Sequence, residues 1–131
     1  MKILFAGTTA QAARVLRHLD TKSEIVAVLT RDDAPFGRKG ELQSSPVAIE
    51  ARQLGLRVIK ANRVDETTNQ LIAESGAELG IVVAYGALLK AETLSLLQQG
   101  WFNLHFSLLP AYRGAAPVQH ALLNGETETG I

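Results

Sequence analysis

The sequence predicts an α/β fold, a doubly wound and mainly parallel sheet with helices on both faces. Three observations carry that expectation. Short apolar runs alternate with helix-like segments along the whole chain. The fourth run, LGIVVAYG at 79–86, is apolar throughout, as a strand buried on both faces is. Three helix-like stretches close on glycine, at Gly55, Gly100 and Gly125, which marks them as separate units between strands.

The elements follow in order. KILFAG (2–7) is a short apolar strand ending in glycine, and AQAARVLRHL (10–19) has helical character. EIVAVLT (24–30) is rich in β-branched residues and reads as the second strand. RDDAPFGRKGELQSSP (31–46) has two prolines, two glycines, mixed charges and no period, so a long loop is expected there. SPVAIEARQLG (45–55) opens a helix with Ser45 as N-cap and Pro46 in the first turn. LRVIKA (56–61) is a third strand, and 64–76 is a helix begun at Asp65. After the fourth strand, AETLSLLQQG (91–100) is a helix. FNLHFSLL (102–109) alternates apolar and polar residues as a fifth strand does, and APVQHALLNG (116–125) is a last helix. Five strands separated by helices imply right-handed parallel crossovers, a Rossmann-like arrangement.

Bulk composition narrows the function. The chain has 131 residues, of which 47% are hydrophobic and 20% charged, enough for one domain with a core. Thirteen Lys and Arg balance thirteen Asp and Glu, so there is no net positive charge to favour nucleic acid in bulk, although a local patch is compatible with this balance. There is no cysteine, which excludes disulfides and thiolate chemistry. MKILFAGTT is too short and too soon interrupted for a signal peptide or a membrane span, so a soluble cytoplasmic protein without membrane partners is expected.

Ligands of such sheets bind outside the carboxyl ends of the strands. That places 7–9, 30–32, 85–86 and 103–110 on one rim. The fifth strand brings an amide, an imidazole and a hydroxyl there, on Asn103, His105 and Ser107. Any one of them could simply bond loop backbone. Asn103 and His105 together, two residues apart, favour chemistry. An amide donates a hydrogen bond without ionising, and imidazole moves a proton near neutral pH. The pair suits attack on a carbonyl carbon by an amine or water. Ser107 is poorly suited to be a nucleophile, since no G-x-S-x-G elbow surrounds it. His18, His105 and His120 show no metal-ligand spacing, so no metal is expected. A dinucleotide is disfavoured because only Gly7 of the G-x-G-x-x-G fingerprint is present, although Asp32 and Asp33 follow the second strand.

Four stretches, FAGT (5–8), VVAYG (82–86), NLHFSLLPAYRGAAPVQ (103–119) and GETETGI (125–131), together resemble the folate-dependent formyltransferases over the whole chain. YRGAAPVQ and the loop GRKGELQSSPV are similar to the branch that acts on tRNA. The resemblance implies a formyl donor, 10-formyltetrahydrofolate, and an acceptor, the α-amino group of methionine on initiator tRNA. It implies that Asn103 and His105 are catalytic, holding the formyl oxygen and assisting proton transfer. It implies that Ser107, Leu108, Leu109 and Pro110 contact folate, and that Val82, Val83, Ala84, Tyr85 and Gly86 line the pterin pocket. Arg38 matches the position of a basic residue directed at the acceptor stem, with Lys39 as its helper on phosphates. In the family a catalytic Asp and a C-terminal tRNA-gripping β-domain follow the segment that here ends at Ile131. The expectation is therefore that residues 1–131 are a partial N-terminal catalytic domain. Alone it is expected to fold, to leave a sheet edge open and to turn over weakly. The residues do not set an oligomeric state; the parent is expected to be a monomer. Other acceptors, an amino-sugar nucleotide or a purine precursor, stay open, as does a non-catalytic folate-binding module.

Overall fold

The computed structural model describes residues 1–37 and 40–131. Its elements are β1 (Lys2–Gly7), α1 (Ala10–Asp20), β2 (Glu24–Thr30), β3 (Ala34–Phe36), β4 (Glu41–Gln43), α2 (Pro46–Gln53), β5 (Val58–Lys60), α3 (Glu66–Glu74), β6 (Leu79–Val83), α4 (Ala91–Leu94), β7 (Trp101–Asn103) and α5 (Pro117–Leu123). Five strands form one sheet in the order β5-β2-β1-β6-β7, every pair parallel. The order reverses at β1, so the crevice between the ends of β1 and β6 is the topological switch point.

Side-chain alternation along the strands sorts the core into two layers. Ile3, Phe5 and Val28 face one side and pack with Ala12, Leu16, Val47 and Ala51 of α1 and α2. Leu4, Ala6, Ala27 and Leu29 face the other and pack with Ile72 of α3 and with Leu97. The predicted doubly wound sheet, with helices on both faces, is therefore what forms. Helix starts follow their caps: the Ala12, Ala48 and Thr68 amides donate to the side chains of Thr9 (3.2 Å), Ser45 (3.0 Å) and Asp65 (2.8 Å). Arg17 of α1 forks onto Glu50 of α2 with bonds of 2.7 and 2.5 Å, tying the two helices of one layer. No helix among the described residues is long and apolar enough to cross a membrane.

Four local expectations need correction. The loop at 31–46 contains a hairpin, β3 paired antiparallel with β4. Its strands have three residues each and all six are exposed, so no buried face imposes a period. The fifth strand is shorter than its alternation implied. After Asn103 only the Leu104 amide continues the ladder, donating to the Val82 carbonyl at 2.9 Å, and then the chain turns away. Phe102, on the edge strand β7, is 67% exposed, and Leu108, in the loop beyond it, is 62% exposed. The helix expected over 91–100 is the single turn of α4 followed by turns. The fourth strand ends at Val83 because Ala84 takes a left-handed conformation, and Ile81 and Val82 are only half-buried.

Candidate active site

The site grows from two strand ends. Beyond β6 the backbone turns sharply at Ala84 (φ 47°) and Gly86 (φ 87°). A left-handed alanine is strained, and its neighbours must hold it. Three bonds do so. The buried Tyr85 hydroxyl donates to the Ala61 carbonyl at 2.6 Å, anchoring the turn in the core. The Thr8 hydroxyl, just past β1, donates to the Tyr85 carbonyl at 2.8 Å. Arg31, just past β2, donates to the Gly86 carbonyl at 3.3 Å and to Asn62 at 2.8 Å. Burial pushes the Tyr85 phenol up to about 12, so it stays a neutral donor throughout the physiological range.

Beyond β7, residues 104–116 form a loop folded on its own backbone. The carbonyl of Tyr112, another left-handed residue (φ 54°), meets His105 Nε2 at 2.9 Å. A carbonyl only accepts, so Nε2 carries the hydrogen, and in the neutral ring this tautomer leaves the Nδ1 lone pair for chemistry. Ser107 is buried, and its hydroxyl donates to the Ala111 carbonyl at 2.7 Å. That bond occupies Ser107 in holding the loop. The Leu109–Pro110 peptide bond is cis.

Between these strand ends lies a cavity of about 690 Å³. Its walls are the turn from Ala84 to Leu89, the side of β7 from Trp101, and the loop at His105, Phe106 and 114–117. A second cleft of about 350 Å³ is lined by Ser107, Leu108, Leu109 and Ile131. Asn103, Leu104 and His105 line both. The amide and the imidazole therefore stand on a wall that two clefts share. A dual cleft suits a reaction that joins two substrates, one on either side of a polarising amide and a base.

The residues named from the sequence divide between these surfaces. Val82, Ala84, Tyr85 and Gly86 line the larger cavity, whereas Val83 is fully buried in the core. Ser107, Leu108 and Leu109 line the smaller cleft, and Pro110 lines neither. The single set of folate contacts expected from the resemblance is thus split over two clefts. Arg38 and Lys39 lie outside the described residues. Among the described residues no three His, Asp or Glu side chains come together as a metal site. The sequence reading overlooked Arg31 as a brace of the 84–86 turn and Tyr112 as the partner of His105. The second acts through a backbone carbonyl and leaves no trace in residue type.

A folate-type donor fits the larger cavity in size, which falls within the range typical of small-molecule sites. It fits in chemistry as well, since the walls are mostly apolar, as a flat heterocycle requires.

Comparison with known proteins agrees with this geometry. The family model described as formyl transferase matches residues 1–131. The methionyl-tRNA formyltransferase of Leifsonia xyli subsp. xyli is 54% identical over 130 residues, covering 99% of this chain and 43% of that protein. The methionyl-tRNA formyltransferase of Renibacterium salmoninarum is 53% identical over 131 residues, with the same coverage. The chain thus spans less than half the length of these relatives. Among solved structures, the phosphoribosylglycinamide formyltransferase of Bacillus halodurans superposes with a TM-score of 0.72 at 14% identity, over 95% of this chain and 66% of that one. At that identity the likeness speaks for the fold alone.

Proposed function

Because the chain belongs to the formyl transferase family, we propose that the natural full-length protein transfers a formyl group from 10-formyltetrahydrofolate to the α-amino group of methionyl initiator tRNA. The reaction would serve translation initiation in the cytoplasm. The observation that carries this reading is the wall shared by two clefts, which both Asn103 and His105 line. Sequence identity above 50% to two methionyl-tRNA formyltransferases supports this acceptor.

The larger cavity, with Ala84, Tyr85, Gly86 and Trp101 on its walls, would hold the donor, and the bound donor supplies the activated formyl group. The Asn103 amide donates to the formyl oxygen as negative charge grows on it. His105 Nδ1 takes a proton from the attacking amine and would return it to the donor nitrogen as the bond between that nitrogen and the formyl carbon breaks. The resulting imidazolium keeps its Nε2–H on the Tyr112 carbonyl, which stabilises the charge without moving. The acceptor amine would come from the side of the smaller cleft, past Ser107, Leu108 and Leu109. Pro110, expected from the resemblance to contact folate, lines neither cleft, and Arg38 and Lys39 would meet tRNA phosphates.

The experiment is a formyl-transfer assay on the natural full-length protein with a panel of acceptors. Charged initiator tRNA should be formylated, while an amino-sugar nucleotide and glycinamide ribonucleotide should not. Transfer to either small acceptor in preference to tRNA would overturn the proposed acceptor. Donor binding without transfer to any of them would leave only a folate-binding module.

A further inference from the structure

His105 is oriented by a carbonyl that must itself be held. Its Nε2 meets the Tyr112 carbonyl at 2.9 Å. Tyr112 has φ 54°, in the left-handed region that a bulky residue leaves unless its surroundings fix it. Relaxation of Tyr112 to a right-handed or extended conformation would turn that carbonyl away from the imidazole. The peptide before Tyr112 is fixed within the loop. The buried Ser107 hydroxyl donates to the Ala111 carbonyl at 2.7 Å, and the Ala111 amide donates to the Leu108 carbonyl at 3.1 Å. The peptide after Tyr112, which carries the carbonyl in question, depends on the conformation of Tyr112 itself.

The side chain of Tyr112 supplies the missing hold. Its hydroxyl donates to Glu126 Oε1 at 2.8 Å, a bond to a carboxylate and so among the stronger kinds. Glu126 is itself anchored, because α5 ends in a Schellman motif. The Glu126 amide donates to the Ala121 carbonyl and the Gly125 amide to the Leu122 carbonyl, both at 3.0 Å, with Gly125 at φ 75°. Ala121 is buried, which seats the motif on the body of the domain. The phenol ring is rigid and only two torsions join it to the backbone, so a grip on the hydroxyl restrains the residue as a whole.

We propose that Glu126 is a positioning residue for His105. Its carboxylate grips the Tyr112 hydroxyl, holds Tyr112 in the left-handed conformation, and so keeps the Tyr112 carbonyl on His105 Nε2. The stance of the imidazole on the wall shared by the two clefts is thereby fixed. The proposal rests on the reading of His105 as the group that accepts the amine's proton. Neither Tyr112 nor Glu126 lines either cleft, so their effect on the reaction passes through His105. A base moved by about 1 Å from its productive approach loses rate. Glu126 is exposed, and water competes for the bond, so the loss is a fraction of that caused by removing the base.

The test measures steady-state formyl transfer to charged initiator tRNA by the natural full-length protein. Tyr112→Phe and Glu126→Ala should each lower kcat about three- to tenfold, and the double variant no further. The KM values for donor and tRNA should change less than about twofold. Glu126→Gln, whose amide oxygen still accepts the hydroxyl, should stay within about twofold of the parent. In a His105→Ala background, Glu126→Ala should bring no further loss. Parental kcat in both single variants, with His105→Ala impaired, would discard the grip and leave the reading of His105 standing. A near-parental kcat for His105→Ala would overturn that reading, and the proposal with it. The proposal also fails if the loss in Glu126→Ala persists without His105, adds to that of Tyr112→Phe, is matched by Glu126→Gln, or falls on the tRNA KM instead of kcat.

Discussion

Gly80→Ala is the sharpest structural perturbation available. Gly80 lies on β6, and its partner in the β6–β7 register is Trp101. A Cβ at Gly80 would stand 2.1, 2.3 and 2.6 Å from three atoms of the Trp101 ring. Contacts below 3.0 Å are not adopted, so the ring has to retreat by about 1 Å or more. The indole is rigid and bears on the larger cavity, so its retreat reshapes the wall opposite the 84–86 turn. Overpacking of this kind costs about 1–3 kcal/mol. Reduced chain entropy in the unfolded state returns only about 0.4–1 kcal/mol, so destabilisation wins. The assay is urea unfolding of Gly80→Ala, Trp101→Ala and the double variant, followed by circular dichroism. With the ring removed the added methyl has room, so Gly80→Ala should cost under about 0.5 kcal/mol in the Trp101→Ala background. An equal cost in both backgrounds would refute the steric argument.

Other outcomes follow from the same contacts. Arg38→Ala in the natural protein should raise KM or lower kcat with charged tRNA and leave donor affinity unchanged; equal loss with a small amine acceptor would contradict a role toward RNA. Tyr85→Phe strands the Ala61 carbonyl in the core and should cost about 1–3 kcal/mol in urea unfolding. The Arg17 guanidinium holds the Glu50 carboxyl below the usual carboxylate range, against the effect of burial. Its stabilisation is therefore present above the unfolded value of about 4.3 and lost as pH falls through the lower folded value. The gap in urea midpoint between the parent protein and Glu50→Gln should accordingly narrow from pH 7 to pH 3.

What was legible in the sequence was what burial dictates. The apolar runs at 2–7 and 24–30 and the first part of the run at 79–86 form the three central strands, which contribute to the core layers on both faces of the sheet. Ser45 and Asp65 cap their helices as their positions predict, since the capping bond is local. The hairpin was not legible, because three-residue exposed strands carry no apolar period. The fifth strand was overextended for the converse reason. Phe102, Leu104, Phe106 and Leu108 alternate as a strand does, but alternation alone does not say which strand is an edge. At the site, residue type pointed to Asn103 and His105, while the carbonyl that orients His105 and the division into two clefts depend on the loop's path. Ser107 fits the bland reading, a hydroxyl bonded to the backbone of its own loop.

The most direct measurement is single-turnover formyl transfer by His105→Ala in the natural full-length protein, paired with donor binding. Donor binding is read by titration calorimetry, with Trp101→Ala, which alters the wall of the larger cavity, as a control for binding there. The His105→Ala variant should bind the donor with an affinity within about threefold of the parent, because His105 is one group on a broad wall. Its transfer rate to charged initiator tRNA should fall by a factor on the order of 10²–10³, the loss typical of one acid–base group. A near-parental transfer rate would contradict the assignment of the proton-moving role to His105 Nδ1.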